Sequence, residues 1–265
     1  MLLAICEKYY NQISFYKAAS GEQIQKFEVL PKGATVTDLQ FSSNSRMIVF
    51  SGDDASFGLL NTMDQRVEQL FVDHDPNYAC SSATINQNDS LIAAGSTDGT
   101  LIVRSLKEST IIVKDKSIKS AIRQCRFSPT SVKTMAIAYE NGALAIWDMS
   151  ARVLKHKFTS HSLACTAIAF SPVNNLLMCS VGLDCRVIFY DIHEHREVKT
   201  INAATAVASI SFCSDGHTIA LGSETNGNVT IYDLKEPKKV KIQMQGHGKE
   251  QRINSLQFMK IYKPG

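Results

Sequence analysis

The chain has 265 residues, 44% of them hydrophobic and 20% charged, with a formal net charge of +3. Such a length allows one large all-β domain or two average ones, and such a balance is ordinary for a globular protein and excludes extensive disorder. The mild charge gives no reason to expect nucleic acid, and no apolar run is long enough to span a bilayer, so neither nucleic acid nor a membrane is an expected partner.

In chain order, residues 1–28 read as three strands, LLAIC, QISFY and QIQKF. Groups of four strands follow at about 36–72, 78–115, 122–158, 165–201 and 207–244, and 252–259 (RINSLQFM) reads as one more opening strand. Apolar and polar residues alternate in CTAIAF, RVIFY, ASISF and NVTIY, as half-buried sheet strands require, and no 3.6-residue stripe is present. Tyr16, Leu60, Arg104, Trp147, Tyr190 and Tyr232 recur at spacings of 44, 44, 43, 43 and 42. Six residues before each stand Tyr10, Asp54, Asp98, Asn141, Asp184 and Asn226, five of them the Asp or Asn expected in a turn between antiparallel strands. Phe41, Ile85, Phe127, Phe170, Phe212 and Phe258 keep the same period at the ends of the opening strands. Two series sharing one period mark a repeat architecture.

The repeat is clearest from Ser160 to Ile192, where a His-bearing loop, three alternating strands and a closing Tyr190-Asp191 pair follow one another. That order resembles a WD40 blade and implies an all-β WD40 β-propeller, a single domain over 1–265. Three strands at the N-terminus plus the one at 252–259 complete a blade, which gives six blades closed by strand exchange between the termini and leaves no open sheet edge. The alternative is a seven-bladed propeller lacking its first blade.

His161, Ser180, Asp184 and Tyr190 occupy the places of the hydrogen-bonded tetrad of such blades, and His74 and His247 sit in equivalent loops. A Ser/His/Asp trio also suggests hydrolysis, but no nucleophile-elbow motif accompanies it, so the expectation is a structural tetrad in a protein that is not an enzyme. His193 and His195 flank Glu194 without a third ligand nearby in sequence, and no P-loop or dinucleotide fingerprint occurs, so neither a metal nor a cofactor is expected. The seven cysteines form no CxxC and read as reduced core residues of a cytosolic or nuclear protein. One basic group runs through Lys107, Lys114, Lys116, Lys119, Arg123 and Arg126, and another comprises Lys235, Lys238, Lys239 and Lys241. The second reads as a solvated rim. In the first, Lys119, Arg123 and Arg126 lie at or beside a blade-opening strand and are the candidate partner-binding residues.

Phe170-Ser171-Pro172-Val173-Asn174, Leu176-Leu177, Gly182-Leu183-Asp184, Arg186 and Tyr190-Asp191 together resemble the WD40 domain of the γ-tubulin ring complex targeting family, known in animals as the neural precursor cell expressed developmentally down-regulated protein one family. Ile219-Ala220-Leu221-Gly222-Ser223, Gly227 and Tyr232-Asp233-Leu234 extend the likeness into the next blade. The resemblance implies a cytoplasmic, cytoskeletal adaptor that docks at centrosomes, spindle poles or spindle microtubules in mitosis and recruits the γ-tubulin ring complex, the nucleator of microtubules. In that family a C-terminal helical tail holds the complex. This chain stops at Gly265, before any such tail, so the expectation is a truncated product or an incomplete gene model, with a short divergent member as the alternative. The alternative is another WD40 scaffold, such as a ubiquitin-ligase substrate receptor, although Trp147-Asp148-Met149-Ser150 lacks the Arg of the usual docking box.

Overall fold

A computed structural model of the chain describes residues 2–6, 11–17, 23–64, 66–236 and 240–245. Its strands make five four-stranded antiparallel sheets and one of three strands, and no helix occurs among the described residues. The chain divides into two compact units, residues 1–127 and 128–265, described in turn.

The first unit opens with the three-stranded sheet of β1 (Leu2–Cys6), β2 (Gln12–Lys17) and β3 (Gln23–Glu28). Next come β4 (Val36–Phe41), β5 (Met47–Gly52), β6 (Phe57–Asn61) and β7 (Arg66–Phe71), hydrogen-bonded in chain order. The same order holds for β8 (Cys80–Ile85), β9 (Leu91–Ser96), β10 (Leu101–Ser105) and β11 (Thr110–Asp115), and the unit ends with β12 (Ile122–Phe127). The second unit begins with β13 (Thr134–Tyr139), β14 (Leu144–Asp148) and β15 (Val153–Phe158). It continues with β16 (Cys165–Phe170), β17 (Leu177–Gly182), β18 (Arg186–Asp191) and β19 (Arg196–Asn202). Its last sheet is β20 (Val207–Phe212), β21 (Thr218–Ser223), β22 (Asn228–Asp233) and β23 (Val240–Gln245).

Among the described residues the sixth expected blade is incomplete. The sheet β1-β2-β3 holds three strands, and the strand expected at 252–259 to complete it lies outside the described residues, as do Tyr10, His247, Lys238, Lys239 and Phe258. The described residues hold five complete blades.

Burial follows the position of a strand within its sheet. β5 and β9 are buried along nearly their whole length, whereas β7 and β19 are mostly exposed or half-buried. Sheets stack face to face: Ala136, Ala138, Leu144, Ile146 and Phe158 of one pack against Cys165, Ile168, Met178, Ile188 and Tyr190 of the next. Each such sheet therefore has two apolar faces, which is why inner strands read as near-continuous apolar runs.

A second device stitches neighbouring sheets. The opening strands β4, β8 and β16 carry a bulge that skips Thr37, Ser81 and Thr166 in the pairing register. A bulge leaves its extra residue unpaired and turns it aside. Each hydroxyl then donates to a carbonyl on the next opening strand: Thr37 to Cys80 O at 2.6 Å, Ser81 to Ile122 O at 2.6 Å and Thr166 to Val207 O at 2.7 Å.

Candidate functional site

The turns aim the other polar side chains of each repeat. In all five four-stranded repeats the Asp or Asn between the second and third strands accepts the backbone N–H two residues on. The bonds run from Ser56 to Asp54 (3.2 Å), Thr100 to Asp98 (2.9 Å), Ala143 to Asn141 (3.1 Å), Arg186 to Asp184 (3.3 Å) and Asn228 to Asn226 (3.1 Å). The intervening residue is left-handed every time: Ala55, Gly99, Gly142, Cys185 and Gly227, with φ between 61° and 89°. An Asx turn closing on a left-handed residue is the local reason these loops are so short.

In the central sheet this turn holds a buried hydrogen-bonded quartet. His161 Nδ1 lies 2.8 Å from Asp184 Oδ1, His161 Nε2 lies 2.7 Å from Ser180 Oγ, and Ser180 Oγ lies 3.1 Å from Tyr190 Oη. Ser180 and Tyr190 are fully buried, and the His161 side chain has no exposed surface. Asp184 gathers donors on both oxygens, since Ser162 N–H (3.0 Å) and Arg186 Nε (2.9 Å) reach Oδ2. Burial alone would raise its carboxyl, but the hydrogen bonds from His161, Ser162 and Arg186 outweigh it and hold the pKa below the usual carboxylate range. Burial also lowers the His161 pKa, against the pull of Asp184. An ionised carboxylate can only accept, so Nδ1 carries the proton and Nε2 is free to accept from the Ser180 hydroxyl, which also lies within hydrogen-bond reach of Tyr190 Oη. Every polar atom in the series is then satisfied. Burial lifts the Tyr190 hydroxyl out of its normal titration range. The Ser180 oxygen faces His161 and Tyr190 rather than solvent, so the quartet presents no nucleophile to a substrate.

The equivalent places in the other sheets differ in an ordered way. Pairing register puts Ala94 where Ser180 stands and Arg104 where Tyr190 stands. His74 is consequently buried with neither ring nitrogen hydrogen-bonded, and burial lowers its pKa to about 4. Its ring packs instead at the edge of Phe57, 5.9 Å between centroids. Arg104 turns to Asp73 (2.6 Å) and lies 4.5 Å from the centre of the Phe71 ring. In the sheet of β13–β15, Ile137 takes the serine's place, and the buried Trp147 Nε1 has no partner. Ala203, Leu221, Asn226 and Tyr232 fill the four places in the last sheet and line a small cleft where the imidazole would be. Among the described residues the complete quartet occurs once.

The candidate partner-binding residues separate. Lys119 is exposed and Arg123 is half-buried. Arg126 corrects the expectation that it faces a partner. Its Nη1 and Nη2 lie 2.7 and 3.0 Å from the two oxygens of Asp38, and Nη1 also reaches Ser82 Oγ at 3.0 Å. Ser82 Oγ in turn donates to Asp38 Oδ2 at 2.6 Å. With 16% and 10% of their side chains exposed, Arg126 and Asp38 form an internal bidentate pair across three opening strands. Lys116 is likewise engaged, with Asp98 at 2.7 Å. Sequence reasoning missed both Asp38 and Ser82. The signal was present: Asp38, Ser82 and Arg126 stand 44 and 44 residues apart, in step with the repeat.

No group of three or more His, Cys, Asp or Glu among the described residues is arranged to hold a metal, and no helix among them is long and apolar enough to cross a membrane.

Comparison with known proteins agrees with this architecture. The family described as WD domain, G-beta repeat matches residues 66–105, and the family described as nucleolar protein 10-like, N-terminal domain, matches residues 153–263. Protein NEDD1 of Homo sapiens is 28% identical over 97% of this chain, which spans 40% of that relative's length. Protein NEDD1 of Mus musculus is also 28% identical, over 88% of the chain and 36% of the relative. A chain in the crystal structure of the mitotic checkpoint complex superposes with a TM-score of 0.83 at 15% identity, covering 97% of this chain and 77% of that one, a likeness of fold. The chain is an all-β WD40-type β-propeller protein similar to NEDD1.

Proposed function

We propose that this chain is a non-enzymatic WD40 adaptor that takes part in recruiting the γ-tubulin ring complex to centrosomes, spindle poles or spindle microtubules. The similarity to human NEDD1 along 97% of the chain carries the reading. The physical arrangement supports an adaptor. Polar side chains are used to fix turns and join sheets, and the one complete Ser/His/Asp arrangement is closed to solvent. Rigid sheets that present loops are suited to reversible docking. Lys119, with Arg123 beside it, remains the candidate contact region for a spindle-pole component.

The test is to image the tagged chain in dividing cells, which reads docking by the propeller itself. Enrichment at spindle poles that Lys119→Glu weakens, in a variant with unchanged thermal stability, supports the proposal. A diffuse signal from the folded chain overturns it.

A further inference from the structure

Beside the quartet, a series of rings runs from one sheet to the next within the second unit. Tyr190 and Phe158 lie 4.5 Å apart, Phe158 and His156 4.4 Å, and His156 and His195 4.7 Å with only 12° between their planes. His156 belongs to β15, the last strand of its sheet, whereas His195 sits in the turn joining β18 to β19 of the following sheet. His195 is held there with φ at 52°, and its Nδ1 is buried without a hydrogen-bond partner.

The surroundings are unbalanced in charge. From β15 the stack meets Lys155 together with His156 itself, and from its own turn His195 meets His193 and Glu194. Glu194 is the acid that acts on His195, with its carboxylate 3.1 Å from His193 Nδ1, and Glu197 stands opposite Tyr190 at the other end of the series. Two neutral imidazoles stack comfortably at 4.7 Å. Two imidazolium rings at that distance, next to a lysine, repel each other.

We infer that the His156–His195 stack is a pH-operated catch between these two sheets, closed when both rings are neutral and released on acidification, freeing the turn at residues 192–195. The direction follows from linkage. Burial, then His156 and Lys155, lower the pKa of His195. The unfolded or opened form therefore binds the proton more readily, so the contribution is complete above an ordinary histidine pKa and is lost as pH falls through the folded value. His74 and His161 are also lowered, and they set a common background that substitution at the stack leaves in place.

The experiment is a histidine ring-proton NMR titration of the full chain from about pH 8 to pH 5, within the range where histidine titrates. Amide exchange at the two ends, corrected for intrinsic rate, accompanies it. His156→Phe keeps a stacked ring without its proton, and His195→Asn removes the second ring while tolerating positive φ. In the unsubstituted chain, protonation of His195 should be felt at the stacked His156 ring, and amides 192–197 should lose several-fold more protection at the acid end than in His156→Phe. Independent titration of the two rings, together with the same acid loss of protection in both proteins, overturns the inference. Should His156→Phe not fold, the titration of the unsubstituted chain and of His195→Asn decides it alone.

Discussion

Removing Arg126 should destabilise the first unit rather than release a partner. The guanidinium and the Asp38 carboxylate are joined by two bonds of 2.7 and 3.0 Å, and both side chains are nearly buried. In Arg126→Ala the carboxylate keeps only the Ser82 hydroxyl and the Leu39 N–H as donors, with a charge left in a desolvated place. Breaking one side of a buried pair costs about 3–5 kcal/mol. Against a typical total of about 5–15 kcal/mol, that is a large share of the stability of the fold. At about 2–4 °C per kcal/mol for a protein of this size, the unfolding midpoint should drop by about 6–20 °C. Asp38→Ala should cost a comparable amount for the mirror reason. The double variant Asp38→Ala/Arg126→Ala should cost clearly less than the sum, with a coupling of about 1–3 kcal/mol. Urea titration followed by far-ultraviolet circular dichroism measures all four corners of the cycle. A cost below about 1 kcal/mol for Arg126→Ala, additive with Asp38→Ala, would refute the reasoning and return Arg126 to the list of docking groups.

Two further outcomes test the second unit. Ser180→Ala removes the hydroxyl that joins His161 to Tyr190 and leaves the buried His161 Nε2 without its partner, while Tyr190 keeps Ser160, so it should destabilise by about 1–3 kcal/mol. Tyr190→Phe, which deletes only the end of the series, should cost less, about 0.5–1.5 kcal/mol by the same denaturation. Cys185→Gly should stabilise the protein: a side chain at φ 61° carries about 1–2 kcal/mol of left-handed strain, of which glycine returns part as chain entropy, for a net gain of about 0.5–1 kcal/mol. A loss of stability in Cys185→Gly would mean that the turn is not strained there.

What the sequence made legible was whatever repeats locally. CTAIAF lies in β16 and NVTIY in β22 because alternation reports on two faces of a strand, and no distant residue can alter that period. The turn carboxylates and amides were equally readable, since an Asx turn is closed by residues two apart. Arg126 was misread because charge in a linear chain says nothing about what stands opposite. Its partner lies 88 residues earlier, on a strand two repeats away. The stitching hydroxyls Thr37, Ser81 and Thr166 escaped for a related reason. They matter through a bulge, which breaks the very alternation used to find strands.

His74 shows how the period could have been pressed further. Its loop position is right, yet its ring is unpartnered, because the second strand of its sheet offers Ala94 where the central sheet offers Ser180. A histidine in that loop is satisfied only when a hydroxyl stands on the second strand and a carboxylate closes the turn within reach. Spacing locates the histidine, but only the chemistry of all four places decides whether it makes a network. By that rule one sheet carries a cooperative polar anchor, and the other described sheets rest on apolar packing, ion pairs and the stitching bonds. Changes to the quartet should therefore be felt first in the central sheet. Changes at Asp38, Ser82 or Arg126 should be felt across the opening strands of the first unit, where three repeats share one buried charge pair.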